Sequence, residues 1–199
     1  MRNRRSSLKL TTSSASQRSG SVTLEFIVSV PVVFILLLAV LTFWFYSLAQ
    51  FAATSALIEG TRQATLAQPS QLVLDSVGAA NDRVDTVIST FNEHLRIHCL
   101  EIADEANGFP DDPEISNATI VVEFYQQAPI VRPADAEFVP ERTTPPPSDA
   151  NEVVVTLGFH LTGNPDAIKP CGPVPNWLAP VGFDLDGSHF QMTTRGRLE

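Results

Sequence analysis

The longest apolar stretch of the chain runs from Phe26 to Tyr46 and contains no charged residue over twenty-one positions. As an α-helix it would be about 31 Å long, which matches a bilayer hydrocarbon core of roughly 30 Å. No water is available there for the backbone, so a helix is expected. Aromatic residues at Phe43–Tyr46 favour the far membrane interface. The pattern predicts one transmembrane helix, in which Pro31 causes at most a modest kink.

Charge on either side of this stretch predicts its orientation. The first twenty residues contain no acid and five bases, namely Arg2, Arg4, Arg5, Lys9 and Arg18. Such a leader stays cytoplasmic, so the chain beyond about Ser47 is expected on the outer side of the membrane. A cleaved secretory signal is the alternative, but its apolar core is usually shorter, about 7–15 residues.

The part beyond the span is acidic, with eight basic residues against twenty-one acids after Tyr46. Nucleic-acid binding requires clustered Lys and Arg, so no nucleic-acid partner is expected. Helix formers over Ser47–Ala67 predict an extension of the membrane helix, and Pro69 interrupts it. A second, amphipathic helix is predicted from Ser70 to Ala106, with Gly78 as a possible break, because apolar residues recur every three or four positions up to Ile102.

Alternating patterns then predict strands. Ile120–Tyr125 and Val153–Leu161 alternate clearly, with Thr156 on the polar side of the second, and Ser188–Arg195 alternates more weakly. Between the first two strands, the Pro-rich and acidic segment Pro129–Ala150 is predicted to be an extended, mobile loop. The expected fold class is α+β: a long N-terminal transmembrane helix, a second amphipathic helix and a small antiparallel sheet of about three strands.

The junction before the span holds Gly20, Ser21 and a single carboxylate, Glu25. An ionisable group at a membrane edge is costly and is rarely placed there without a partner. A cut after Gly20 would make Ser21 the new N-terminus and Glu25 the fifth mature residue. The alternative is that Glu25 reaches back to the cytoplasmic interface and that Gly20 is only a flexible leader residue.

This junction resembles a class III signal peptide, the type that prepilin peptidases cut in type IV pilins. Gly20–Pro31 (GSVTLEFIVSVP) is similar to the TadE-like pattern, a Glu-Phe pair followed five residues later by Pro, and Ala56–Ala64 (ALIEGTRQA) is similar to its Gly-x-Arg stretch. TadE-like proteins are minor pseudopilins of the Flp/Tad pilus machinery. The resemblance implies cutting after Gly20, pairing of Glu25 with a neighbouring subunit's N-terminus, and a structural role. It also implies a bacterial inner-membrane location with the C-terminal domain in the periplasm or, after assembly, in an extracellular pilus.

The expected partners are therefore membrane lipid, a prepilin peptidase, other pilins or pseudopilins, and Tad assembly proteins. The expected organisation is a basic leader over 1–20, the membrane helix and its extension over 21–67, and an exported domain over 68–199. The alternative is a single-span, unprocessed periplasmic binding or scaffold module, in which replacing Glu25 would leave function intact.

The remaining chemistry is sparse. Cys99 and Cys171 are the two cysteines, and an exported domain permits a disulfide between them that could stabilise the fold by about 4 kcal/mol; two unpaired thiols are the alternative. His94 and His98 are four apart and could chelate zinc, but the His-Glu-x-x-His pattern is absent. We therefore expect no metal, no cofactor and no enzymatic activity, with a metal-dependent enzyme as the weakest alternative.

Overall fold

The computed structural model describes residues 15–66, 77–103, 116–134, 136, 138–163 and 172–197. The chain divides into two units, Met1–Val40 and Leu41–Glu199. The described elements are helices α1 (Ala15–Leu66) and α2 (Val77–Leu95) and strands β1 (Leu100–Glu101), β2 (Ser116–Phe124), β3 (Ile130–Arg132), β4 (Glu152–His160) and β5 (His189–Arg197). The predicted α+β class, with a long N-terminal helix, a second helix and a small sheet, is confirmed.

In the first unit, helix α1 is apolar on every side from Phe26 to Val40. Nearly all side chains from Val22 to Val40 are exposed, including large ones such as Phe26 and Phe34. Pro31 lies inside the helix without ending it. A helix that is apolar all round needs an apolar surrounding. Helix α1 is long and apolar enough to cross a membrane, which is the property predicted for this stretch.

In the second unit, helix α1 buries a stripe of small residues. Ala49, Ala53, Ala56 and Ala64 are almost inaccessible to solvent and belong to the hydrophobic core. Gly60 lies in the same stripe, where an added Cβ would overlap the ring of Phe91 on α2. Small side chains let the helix approach its neighbours closely, so the larger residues of α2 and the sheet fill the space between them.

Helix α2 ends earlier than predicted. It stops at Leu95, a 3₁₀ turn covers Arg96–His98, and Cys99 has a left-handed backbone with φ of 58°. The side-chain amide of Asn92 donates to the Ile102 carbonyl (3.0 Å) and accepts from the Ile102 N–H (2.8 Å). These two bonds fix the backbone of Ile102, which follows β1 and lies outside the helix, so the prediction of helix up to Ala106 was wrong. Residues 67–76 and 104–115, which include the predicted start at Ser70, lie outside the described residues.

Three of the strands correspond to the three predicted ones. β2, β4 and β5 form an antiparallel sheet in which β4 is central, with Ile120 opposite Leu157 and Leu157 opposite Met192. Two short strands were missed. β3 pairs antiparallel and β1 parallel with β2. Because β4 occupies one edge of β2, both short strands lie along its other edge.

The Pro-rich segment covers one face of this sheet. We name residues 138–149 the strap. Its backbone amides at Glu141 and Thr143 donate to Gln191 Oε1 (3.3 Å) and Thr193 Oγ1 (3.0 Å) on β5. Arg195 donates to the Pro145 carbonyl at 2.7 Å. The segment is extended as predicted, but these bonds fix it to the sheet, so the prediction of a mobile loop was wrong.

The strap also changes the environment of the central strand. Thr156 was predicted on the polar side of its strand, yet it is buried, and its hydroxyl lies 3.2 Å from Thr193 Oγ1. An added Cβ at Gly158 would lie 2.7 Å from the ring of Phe138 and 2.6 Å from Pro140. Phe138 also stacks on His189, with ring centroids 4.2 Å apart. Strand β4 is therefore buried on both faces.

Candidate functional site

The junction predicted to be cut lies within helix α1. The helix begins at Ala15, five positions before Gly20, and continues through Ser21. The side chains are described from Val22 onward. Glycine is less favourable than alanine in a helix interior by about 1 kcal/mol, so Gly20 is a point where the helix opens more easily. A peptidase acting between Gly20 and Ser21 would need such local opening to reach the peptide bond.

Glu25 is on the surface of the helix. Its side chain is exposed, and it is the only charged residue between Ser21 and Ile58. None of the hydrogen bonds or ion pairs among the described residues involves it. Its neighbours Leu24 and Phe26 are exposed apolar residues. The carboxylate thus lies in an apolar surface, where a positive partner from outside this chain would offset its desolvation.

The Gly-x-Arg stretch has a packing role in the structure. Ala56, Gly60 and Ala64 form the buried stripe, and Gly60 gives room to Phe91. Glu59 and Arg62 form an ion pair at 3.4 Å, with two-thirds of the Arg62 side chain exposed. Exposed pairs of this kind contribute little to stability. The sequence pattern at this site is therefore explained by close helix packing.

The two cysteines are only partly described. Cys99 lies between the 3₁₀ turn and β1, and Cys171 lies outside the described residues. Gly172, the next residue after Cys171, packs so closely on the backbone at Thr162 that a Cβ there would collide with it. Cys99, the one cysteine among the described residues, is not a free thiol. The predicted pairing of Cys99 with Cys171 itself stays a prediction.

The two histidines lie in different elements. His94 is in the last turn of α2, whereas His98 is in the 3₁₀ turn that follows the end of α2 at Leu95. The arrangement that the spacing predicted, two histidines one turn apart on a single α-helix, is therefore not present. Within the ranges that the structure describes, no group of three or more His, Cys, Asp or Glu could hold a metal ion.

Sequence reasoning missed a buried carboxylate beneath the strap. Glu123 on β2 is only 7% exposed, and its Oε1 accepts from Arg142 Nη1 at 2.6 Å. Its Oε2 is buried with no hydrogen-bond partner among the described residues. The pair lies in an open hollow of ≈ 520 Å³ lined by Val121, Val131 and Val139 among others. The alternation of β2 marked Glu123 as an outward residue, and only the strap buries it.

Comparison with known proteins gives a match for one part of the chain. No curated protein and no solved structure matches the chain. A family model does match, and its match begins at Gly20 and includes both Glu25 and Gly60. It therefore covers the junction, the exposed apolar part of α1 and the buried stripe as far as Gly60. Residues 20–62 match the family described as TadE-like protein, which confirms, for this part of the chain, the resemblance predicted from the sequence.

Proposed function

We propose that this protein is a minor pseudopilin of a Tad-type pilus assembly or secretion system, with a structural role in adhesion or biofilm pili. The observation that carries the proposal is the coincidence of three features at one place. The TadE-like match starts at Gly20, the exposed apolar helix starts directly after it, and one carboxylate interrupts that apolar surface at Glu25. Each feature corresponds to a step of pilin maturation: cutting, membrane storage and assembly.

In the first step, a prepilin peptidase cuts the peptide bond between Gly20 and Ser21. The basic leader keeps this bond on the cytoplasmic side, and Gly20 lowers the cost of opening the helix around it. The product has a free α-amino group at Ser21. The remaining chain stays in the inner membrane through α1, and its C-terminal domain faces the periplasm or, after assembly, the surface of a filament.

In the second step, Glu25 pairs with the α-amino group of a neighbouring pilin or pseudopilin. Both charges are costly in an apolar setting, and each offsets the desolvation of the other. The exposed apolar side chains around Glu25 pack against neighbouring stems once lipid is displaced. Glu25 then fixes the axial position of the subunit, because it is the only charge on this part of the helix.

The exported domain is proposed to be closed by a disulfide between Cys99 and Cys171. The left-handed Cys99 joins the helical layer to β1, and the residue after Cys171 packs on the end of β4. A bond between them would tie the end of the helical layer to the loop that leaves the sheet. The periplasm is an oxidising compartment in which such a bond persists.

Processing is tested by measuring the intact mass of the membrane-extracted protein, made with and without its host's prepilin peptidase. We expect loss of residues 1–20 only when the peptidase is present, and no loss in a Gly20→Val variant. A chain that keeps its leader in both hosts would instead indicate an unprocessed periplasmic module anchored by one helix. The same spectra, taken with and without reductant, report whether Cys99 and Cys171 are bonded.

Assembly is tested with Glu25→Ala, and Glu59→Ala serves as the matched control on the same helix. We expect both variants to be cut normally, because neither residue adjoins the bond. Only Glu25→Ala should fail to co-purify with cross-linked pilins or sheared filaments. Normal recovery of the Glu25→Ala variant would contradict the assembly role.

A further inference from the structure

One loop of the exported domain exposes a continuous apolar surface. Residues 177–183 (WLAPVGF), which we name the apolar loop, contain no charged or hydrogen-bonding side chain except the indole of Trp177. Trp177 is 43% exposed, Val181 47% and Phe183 68%. Large apolar side chains clustered in this way on a surface indicate a contact with a partner or a membrane.

The loop is held in one shape by its own backbone. A 3₁₀ turn covers Ala179–Val181, and the amides of Val181 and Phe183 donate to the Leu178 carbonyl at 3.0 and 3.2 Å. The side-chain amide of Asn176, just before the loop, donates to the carboxylates of Asp184 (2.7 Å) and Asp186 (3.0 Å), just after it. The exposed side chains therefore project from a preformed turn, which lowers the entropic cost of binding.

The location of the loop points to its partner. The ring of Trp177 packs edge-on against Phe45 of helix α1, with centroids 5.6 Å apart. Phe45 belongs to the aromatic group Phe43–Tyr46 that ends the apolar run. Aromatic residues at the end of a membrane span occupy the interface between hydrocarbon and headgroups. The contact with Phe45 brings the apolar loop to that interface when α1 spans the bilayer.

We propose that the apolar loop inserts into the outer interface of the membrane and forms a second lipid contact beside the helix. This inference rests on the proposed topology, in which the run ending at Tyr46 crosses the bilayer with the domain outside. The partner is the neutral boundary between acyl chains and headgroups, because the loop has no Lys or Arg and is followed by Asp184 and Asp186. Insertion would fix the domain against the membrane before assembly and would end when the subunit leaves the bilayer.

The chain offers its own probes, because it contains two tryptophans, Trp44 and Trp177. The full-length protein is reconstituted in phosphatidylethanolamine–phosphatidylglycerol vesicles whose acyl chains are brominated, since bromine quenches nearby indole fluorescence. Trp177→Phe leaves Trp44 as the reporter of the span, and Trp44→Phe leaves Trp177 as the reporter of the loop. Phe183→Trp, made in a variant in which Trp44 and Trp177 are both replaced by Phe, reports the exposed tip of the loop.

We expect bromolipid to quench all three reporters, with a loss at Phe183→Trp comparable to that of Trp44. Val181→Asp should reduce the quenching of Trp177, because a carboxylate opposes insertion. Ile97→Asp is the matched control, since Ile97 is 83% exposed in the 3₁₀ turn after α2, and it should leave the quenching unchanged.

The outcomes separate this inference from the proposed topology. Quenching of Trp44 without quenching at positions 177 and 183 would overturn the loop insertion and leave the membrane span intact. Loss of quenching at all three positions would overturn the span itself, and the loop proposal with it. Quenching of Trp177 that Val181→Asp does not change would also contradict the proposal, because the loop would then be near lipid without being inserted.

Discussion

The two faces of the sheet are both covered, but by different physical means. On one face, Ile120, Val122 and Leu157 meet helices α1 and α2 in a continuous apolar core. On the other, Val121, Glu123 and Thr156 lie under the strap, which is held by backbone-to-side-chain hydrogen bonds and by the Arg142–Glu123 ion pair. The first face depends on burial of apolar area, and the second depends on satisfied polar groups.

Because of this difference, we expect mutations on the two faces to lower the stability of the fold in different ways. An apolar core loses stability through cavities, because the neighbours of a removed side chain relax only partly. A strap fixed by specific polar contacts is more sensitive to the loss of one partner, because the other is left buried and unsatisfied. Both mechanisms meet at β4, whose seven inner residues are buried from both sides.

The largest expected effect comes from removing Phe91 on the helix-covered face, and Phe138 on the strap face is its counterpart. Phe91 is fully buried against Gly60, whereas Phe138 is only half-buried and stacks on His189. We expect Phe91→Ala to lower the free energy of unfolding by about 3–5 kcal/mol. Phe138→Ala should lower it by about 1 kcal/mol, since less area is lost. Denaturant unfolding of the full chain in detergent measures both, and equal losses would contradict the distinction between the faces.

A smaller effect is expected from the ion pair under the strap. Arg142→Ala leaves the buried carboxylate of Glu123 without its cation and should cost about 1–3 kcal/mol. The exposed pair Arg62–Glu59 provides the control, and Arg62→Ala should cost at most about 0.5 kcal/mol. Adding Glu123→Gln to Arg142→Ala should restore part of the loss, because a neutral amide is cheaper to bury. A loss from Arg142→Ala no larger than that from Arg62→Ala would contradict this account of the strap face.

The smallest effect concerns pH at the end of the strap. The Ser148 N–H and hydroxyl both donate to the Glu152 carboxylate and lower its pKa below the ordinary value of 4.5. A lowered pKa in the folded state means that this stabilisation is present above pH 4.5 and is lost as the pH falls through the folded value. Hydrogen exchange at the Ser148 amide should therefore increase, relative to neighbouring amides, on acidification below 4.5. Glu152→Gln should remove that dependence, and persistence of the dependence would assign it to another group.

Much of the fold could be predicted from local pattern, and particular residues explain the exceptions. The apolar run could be predicted from its length. Strands β2, β4 and β5 could be predicted from their alternation, because the core-facing side of a strand takes every second residue. The prediction extended helix α2 too far because Ile102 continues its apolar spacing, although the Asn92 side chain binds the backbone of that residue outside the helix. The strap has no period at all. Its attachment depends on Thr193 and Gln191, some fifty residues further along the chain.

The sequence by itself was enough to predict a membrane span, a processing junction at Gly20–Glu25 and the resemblance to TadE-like proteins, because charge exclusion and motif spacing are local properties. Tertiary structure alone decided that Glu123 and Thr156 are buried, that Gly60 makes room for Phe91, and that Trp177 packs on Phe45. Each of these depends on chain segments that are far apart in sequence, because a residue becomes buried only when another segment covers it. The apolar loop is the clearest case. Its seven residues form a short apolar run in the sequence, but only the contact of Trp177 with Phe45 shows that this run lies beside the end of the membrane-type helix.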